Sequence, residues 1–249
     1  MAHRLFEILI ALHILGGVVG AVTFWVPVIG RKGGDTHRRY GRIFTRALLI
    51  TGFCAIFMSL LTLAQPIATH PHLEGKFGDE FIRGIFGWMM LYLGILTVNL
   101  VWYGWLAARH PRDREALREW RNLILQPVLV IASLNCAWQG WLIGEFLMVG
   151  IAFVGIATAA TNLWYMYKPR LSSVDWQKEH LKALVGAGIS VYTAFMAFGS
   201  VRILPELALN PIMWSIPLGT GIGLILYHWA RLDGRLKKSQ APSLRTTKS

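Results

Sequence analysis

Seven stretches of this chain run for 19 or more residues without a single Asp, Glu, Lys or Arg: 8–30, 47–73, 84–108, 122–144, 146–167, 183–201 and 207–230. About 20 predominantly apolar residues, rising ~1.5 Å each, cover the ~30 Å hydrocarbon core of a bilayer. A soluble fold has no use for seven such runs. With 54% apolar and 15% charged residues, the composition agrees. The spacing therefore predicts an all-α integral membrane bundle of seven transmembrane helices over residues 1–236, followed by a disordered basic tail over 237–249. Only short loops remain outside the runs, so no separate soluble catalytic domain fits.

The charges orient the bundle. There are 25 basic and 13 acidic residues, a formal net charge of +12. In a soluble protein that excess would suggest nucleic acid, but here its placement decides its meaning. All but four of the 25 Lys and Arg fall in the loops after the first, third, fifth and seventh runs. The exceptions are Arg4, Lys76, Arg83 and Arg202. Short loops rich in Lys and Arg stay in the cytoplasm, which puts the amino terminus outside and the carboxyl tail inside. Tryptophan gives a check without charge, because its ring prefers the headgroup level. Trp25, Trp102, Trp105, Trp120, Trp164, Trp176 and Trp229 fall near the basic ends of runs, and Trp88, Trp138, Trp141 and Trp214 near the other ends. Membrane lipid is the expected partner and nucleic acid is not.

The first run exceeds the roughly 7–15 apolar residues of a cleavable leader and is read as a retained helix. Cys54 and Cys136 lie inside runs at different depths, which excludes a disulfide framework and suits small buried residues. No internal repeat is evident. Gly16, Gly17 and Gly20, and again Gly219, Gly221 and Gly223, offer small faces on which helices approach closely in lipid. Pro127 and Pro217 fall inside runs and remove a helix hydrogen bond each. A small-molecule or lipid transporter working around the Pro217 break is one functional class. The absence of any carboxylate at the centre of a run weighs against a proton-coupled pump.

Histidine is the informative residue type. His13 alone lies deep, about two turns inside the outer end of the first run, at a depth shared with Asn135 and Gln139 of the fourth. His37, His110, His180 and His228 all fall at the cytoplasmic ends of runs. Neutral imidazole is a common ligand of metals and of haem iron, and a b-type haem needs two on facing helices at one depth. His180 with His228 or His37 is the candidate pair for haem or a metal. His13 has no deep partner, so a two-haem wire across the membrane is poorly matched. His70 and His72 flank a proline in the outer loop, where a plain turn and a weak exposed two-His site both fit. In the first inner loop, Lys32-Gly33-Gly34 with His37-Arg38 and Gly41-Arg42 serves equally as a phosphate cradle or a topology anchor, and lacks the spacing of a nucleotide-binding loop.

Leu12-His13-Ile14 with Gly16, then Lys32-Gly33-Gly34, His37-Arg38 and Gly41-Arg42, resembles the opening of bacterial predicted membrane proteins grouped as a domain of unknown function, number twenty-three-zero-six. The stretch Trp176, His180, Leu181, Gly186 and Tyr192-Thr193-Ala194-Phe195 looks like their second signature. The resemblance covers two helices and their inner loops. It implies a bacterial inner membrane location and marks His13, His37 and His180, without carrying an activity to them. The leading expectation is thus a polar site on the cytoplasmic side formed by His37, Arg38, Arg42 and His180. The haem- or metal-binding redox protein stands as the alternative.

Overall fold

A computed structural model describes residues 2–199 and 211–240, and no strand occurs among them. Seven long helices form: α1 (Ala2–Ile29), α2 (Asp35–Ala64), α3 (Asp79–Arg109), α4 (Trp120–Ile143), α5 (Phe146–Tyr167), α6 (Asp175–Ala194) and α7 (Pro211–Gln240). α3 contains a wider π-helical segment over Arg83–Met89, and α6 continues as π-helix over Phe195–Gly199. Short turns link the rods. Gly144, at φ 77°, closes α4 in the left-handed conformation, and the next amide, of Glu145, reaches back to the Gly140 carbonyl at 2.8 Å.

Five of these helices, α1 to α5, are long and apolar enough to cross a membrane among the described residues. α6 and α7 are not among these five. α6 begins at Asp175, eight residues before the charge-free run, and brings Lys178, Glu179 and Lys182 into its first two turns. The charge-free part of α7 is diluted by Pro217, Thr220, Gly219, Gly221 and Gly223, and the helix reaches Gln240, into the segment read as tail. Residues 241–249 of that tail lie outside the described residues.

Packing is organised on α3. In its most apolar stretch 67% of residues are buried, against 17% for α1. α2, α4 and α6 pack directly on α3; α1 lies on α2, α5 on α4 and α7 on α6. Tyr92 of α3 is fully buried and pins α5: its hydroxyl donates to the Ile151 carbonyl (2.7 Å) and accepts from the Gly155 amide (3.0 Å). Gly16 and Gly20 of α1 face Thr51 and Leu48 of α2 so closely that a Cβ would overlap them, whereas Gly17 faces open space. Outward, Ile8, Leu15, Val22 and Ile29 recur every seven residues on α1 and are all more than half exposed. Such a continuous apolar face is what lipid, and not water, solvates.

At the end remote from the basic loops, the turn after α2 folds inward. His70 is 8% exposed, with its ring 5.1 Å from Phe6 and 4.6 Å from Phe86, centroid to centroid. An exposed two-His site is therefore not formed; only His72 faces out. Burial, and after it the neighbouring His72, push the His70 pKa down to about 4, against a hydrogen bond to the Pro66 backbone carbonyl that raises it. The folded state thus refuses a proton that the unfolded chain accepts near 6.5. Stability from this turn is fully present above pH 6.5 and is lost as pH falls towards 4. Melting temperatures of the purified protein in detergent at pH 7.5, 5.5 and 4.5 should fall in that order. The His70→Phe variant should flatten the trend, and an equally steep fall in it would refute the assignment.

Candidate functional site

α1 ends at Ile29, so the Pro27 and Val28 carbonyls lack helical partners. The turn that follows brings back two side chains to use them. Lys32 Nζ donates to Pro27 O (2.7 Å) and to Val28 O, and His37, in the first turn of α2, places Nδ1 3.3 Å from Pro27 O. From the second turn of α6, His180 places Nδ1 2.9 Å from the Gly104 carbonyl of α3. A carbonyl only accepts, so in both rings the hydrogen sits on Nδ1 and the lone pair on Nε2. The two ring centroids are 6.3 Å apart, with the planes at 65°.

Both imidazoles line a cavity of about 330 Å³ at the basic end of the bundle. Arg38, Arg42, Lys32 and Arg109 supply cationic walls, and His228 of α7 adds a third imidazole. Phe24, Phe44, Leu184, Val185 and Leu224 make the apolar part, with Trp105 beside them. The Arg109 guanidinium lies 5.1 Å from the Trp105 ring centroid, over its face. Among the described residues, no Asp or Glu lines the cavity. Burial, and then the Arg231 charge, lower the Lys32 pKa from its ordinary value. The structure thus brings His37, Arg38, Arg42, His180 and His228 to one space.

His13 is elsewhere. Its Nδ1 meets the Thr51 carbonyl of α2 at 3.0 Å. Asn135 and Gln139 sit half-buried on α4, which packs on α5 and α3 while α1 packs chiefly on α2. The three intramembrane polar residues therefore do not form the cluster that shared depth suggested. A smaller apolar cavity of about 150 Å³ lies beside Pro217, through which α7 runs as one continuous helix and not as a break, and is lined also by Trp25, Tyr192 and Gly221.

Sequence reasoning missed two polar assemblies. Asn162 of α5 donates to Asn99 Oδ1 of α3 (3.1 Å) and to Gln126 Oε1 of α4 (3.3 Å). Gln126 donates to the Asn122 carbonyl (3.0 Å), and all four amides are fully buried. The signal was there, since Asn122 and Gln126 are four residues apart on one helix face. The second assembly joins Tyr103, Glu179 and Lys182: Glu179 Oε2 accepts from the Tyr103 hydroxyl (2.8 Å) and from Lys182 Nζ (2.6 Å). Lys32, which the sequence offers equally as part of a phosphate cradle or of a topology anchor, and Arg109, one of the orienting loop charges, both belong to the cavity wall.

Among the described residues, no group of three or more His, Cys, Asp or Glu side chains is gathered so as to hold a bare metal ion. Comparison of the chain with protein-family models, curated proteins and solved structures finds no match.

Proposed function

We propose that this chain is a seven-span membrane protein, amino end outside and carboxyl tail inside, that holds an anionic amphiphile in the cavity at its basic end. One observation carries the reading: among the described residues, four cationic side chains and three imidazoles surround a space with an apolar wall and no carboxylate. An anion there gains charge-assisted hydrogen bonds, while its apolar part rests against Phe24, Phe44 and Leu184. The basic loops support the orientation by the positive-inside rule. A bacterial inner membrane, and kinship with the family of unknown function that the Lys-Gly-Gly and His-Arg motifs resemble, belong to the same proposal.

The test is binding to the full chain in neutral detergent, with fluorescent phosphatidylglycerol and phosphatidylcholine of equal chain length as probes. The anionic lipid is expected to bind at least tenfold more tightly. The double variant Arg38→Ala/Arg42→Ala should remove about tenfold of that preference, roughly 1.4 kcal/mol. Equal binding of both lipids would overturn the reading. Cysteine-accessibility mapping that finds the Arg38 and Arg114 loops on opposite faces would overturn the topology.

A further inference from the structure

We propose that the amphiphile is a b-type haem, with its iron bound by Nε2 of His37 and Nε2 of His180. The inference rests on the reading of the cavity as a site for an anionic amphiphile and names the ligand.

Four features converge on it. Each imidazole is held from behind by a hydrogen bond from Nδ1 to a backbone carbonyl, Pro27 for His37 and Gly104 for His180. That bond is what fixes the tautomer and orientation of metal-bound histidine. The spacing fits as well. With metal–nitrogen bonds of about 2.0–2.1 Å, two imidazoles on opposite sides of one metal have centroids about 6 Å apart. The observed separation is 6.3 Å. Crossed planes are no obstacle, because imidazoles on opposite sides of one metal need share only the nitrogen–metal–nitrogen line and not a common plane.

The missing equatorial ligands are informative. A bare ion between two imidazoles lacks further protein ligands here, as no third His, Cys, Asp or Glu completes a set among the described residues. A porphyrin brings four nitrogens of its own and needs the protein for the axial positions alone. Its periphery matches the remainder of the cavity. Two propionate carboxylates suit Lys32, Arg38, Arg42 and Arg109, and the flat apolar macrocycle suits Phe24, Phe44 and Leu184. His13 stands against Thr51 of α2, and the His70–His72 pair, its rings 6.0 Å apart, lies in the turn after α2 with His72 exposed; none of the three lines the basic cavity, so the structure assigns one haem and not two.

The experiment titrates the purified full chain in detergent with ferric protoporphyrin IX and, separately, with metal-free protoporphyrin IX. One equivalent of the ferric form should give a sharp Soret band and a six-coordinate low-spin spectrum. His37→Gly and His180→Gly should each convert it to a high-spin spectrum and weaken binding at least tenfold, and added imidazole should restore the low-spin form. His110→Ala, outside the cavity, should behave as the unaltered protein. A misfolded variant is recognised by failure of imidazole rescue together with loss of a monodisperse peak. His180→Met then serves instead, with a Met-ligated spectrum expected. A high-spin or unbound ferric form with the unaltered chain overturns the haem proposal. If metal-free protoporphyrin and phosphatidylglycerol still bind in that case, the anionic cavity stands; if neither binds, both readings fall.

Discussion

Replacing Glu179 with Ala is expected to destabilise the protein by about 3–5 kcal/mol, far more than removing Glu179 and Lys182 together. Lys182 Nζ is bonded to Glu179 Oε2 at 2.6 Å and to Thr161 Oγ1 at 3.1 Å, and lies 5.7 Å from the Tyr103 ring centroid, over its face. The two charged side chains are only 13% and 16% exposed. Taking away the carboxylate leaves an ammonium group beside α3 without its counter-charge, and also strips Tyr103, fully buried, of its acceptor. Both losses leave buried polar groups unmatched, which costs more than the pair itself contributes. In Glu179→Leu/Lys182→Met the same volume is filled without charge, so most of the loss should be recovered. Reversible unfolding in mixed micelles, analysed as a double-mutant cycle, measures the difference. A Glu179→Ala loss below about 0.5 kcal/mol, the range of ordinary surface changes, would contradict the account.

That cluster also explains where the sequence was legible and where it was not. Absence of charge locates the centres of helices well, because lipid tolerates no isolated ion, and each of the seven runs has a long helix through its centre, although the second run continues nine residues beyond the end of α2. It locates their ends poorly. A charge that finds its partner one turn away, as Lys182 finds Glu179, does not end a helix, and α6 therefore starts at Asp175 instead of after the last lysine. Depth was equally readable. Helix rise and the basic loops put His37, His110, His180 and His228 at one level, and three of them, without His110, line the cavity. Rotation about the helix axis was not readable. Asn135 and His13 share a depth yet lie on helices that pack on different partners, whereas Gln126 and Asn162 meet because α3, α4 and α5 turn those faces together. Rotation is set by small residues at the crossings, which depend on both helices at once.

The crossing that matters most for the cavity is at Gly104, and Gly104→Val is the change expected to damage it most. A Cβ there would stand 2.8 Å from Leu184 Cδ2 and 2.9 Å from Ala183 Cβ, so α6 would have to move away from α3. Forcing extra carbon atoms into a packed contact costs about 1–3 kcal/mol. The larger consequence is geometric. The residue-104 carbonyl anchors His180, and His180 in turn stands 6.3 Å from His37, so a shift of α6 misplaces one imidazole relative to the other. Binding of the anionic ligand should therefore fall by more than tenfold even at temperatures where the variant remains folded. Gly17→Val is the matched comparison, since that position faces open space on α1. It should leave both melting temperature and ligand binding unchanged. Equal affinity in Gly104→Val and Gly17→Val would show that the α3–α6 approach does not position the cavity's imidazole.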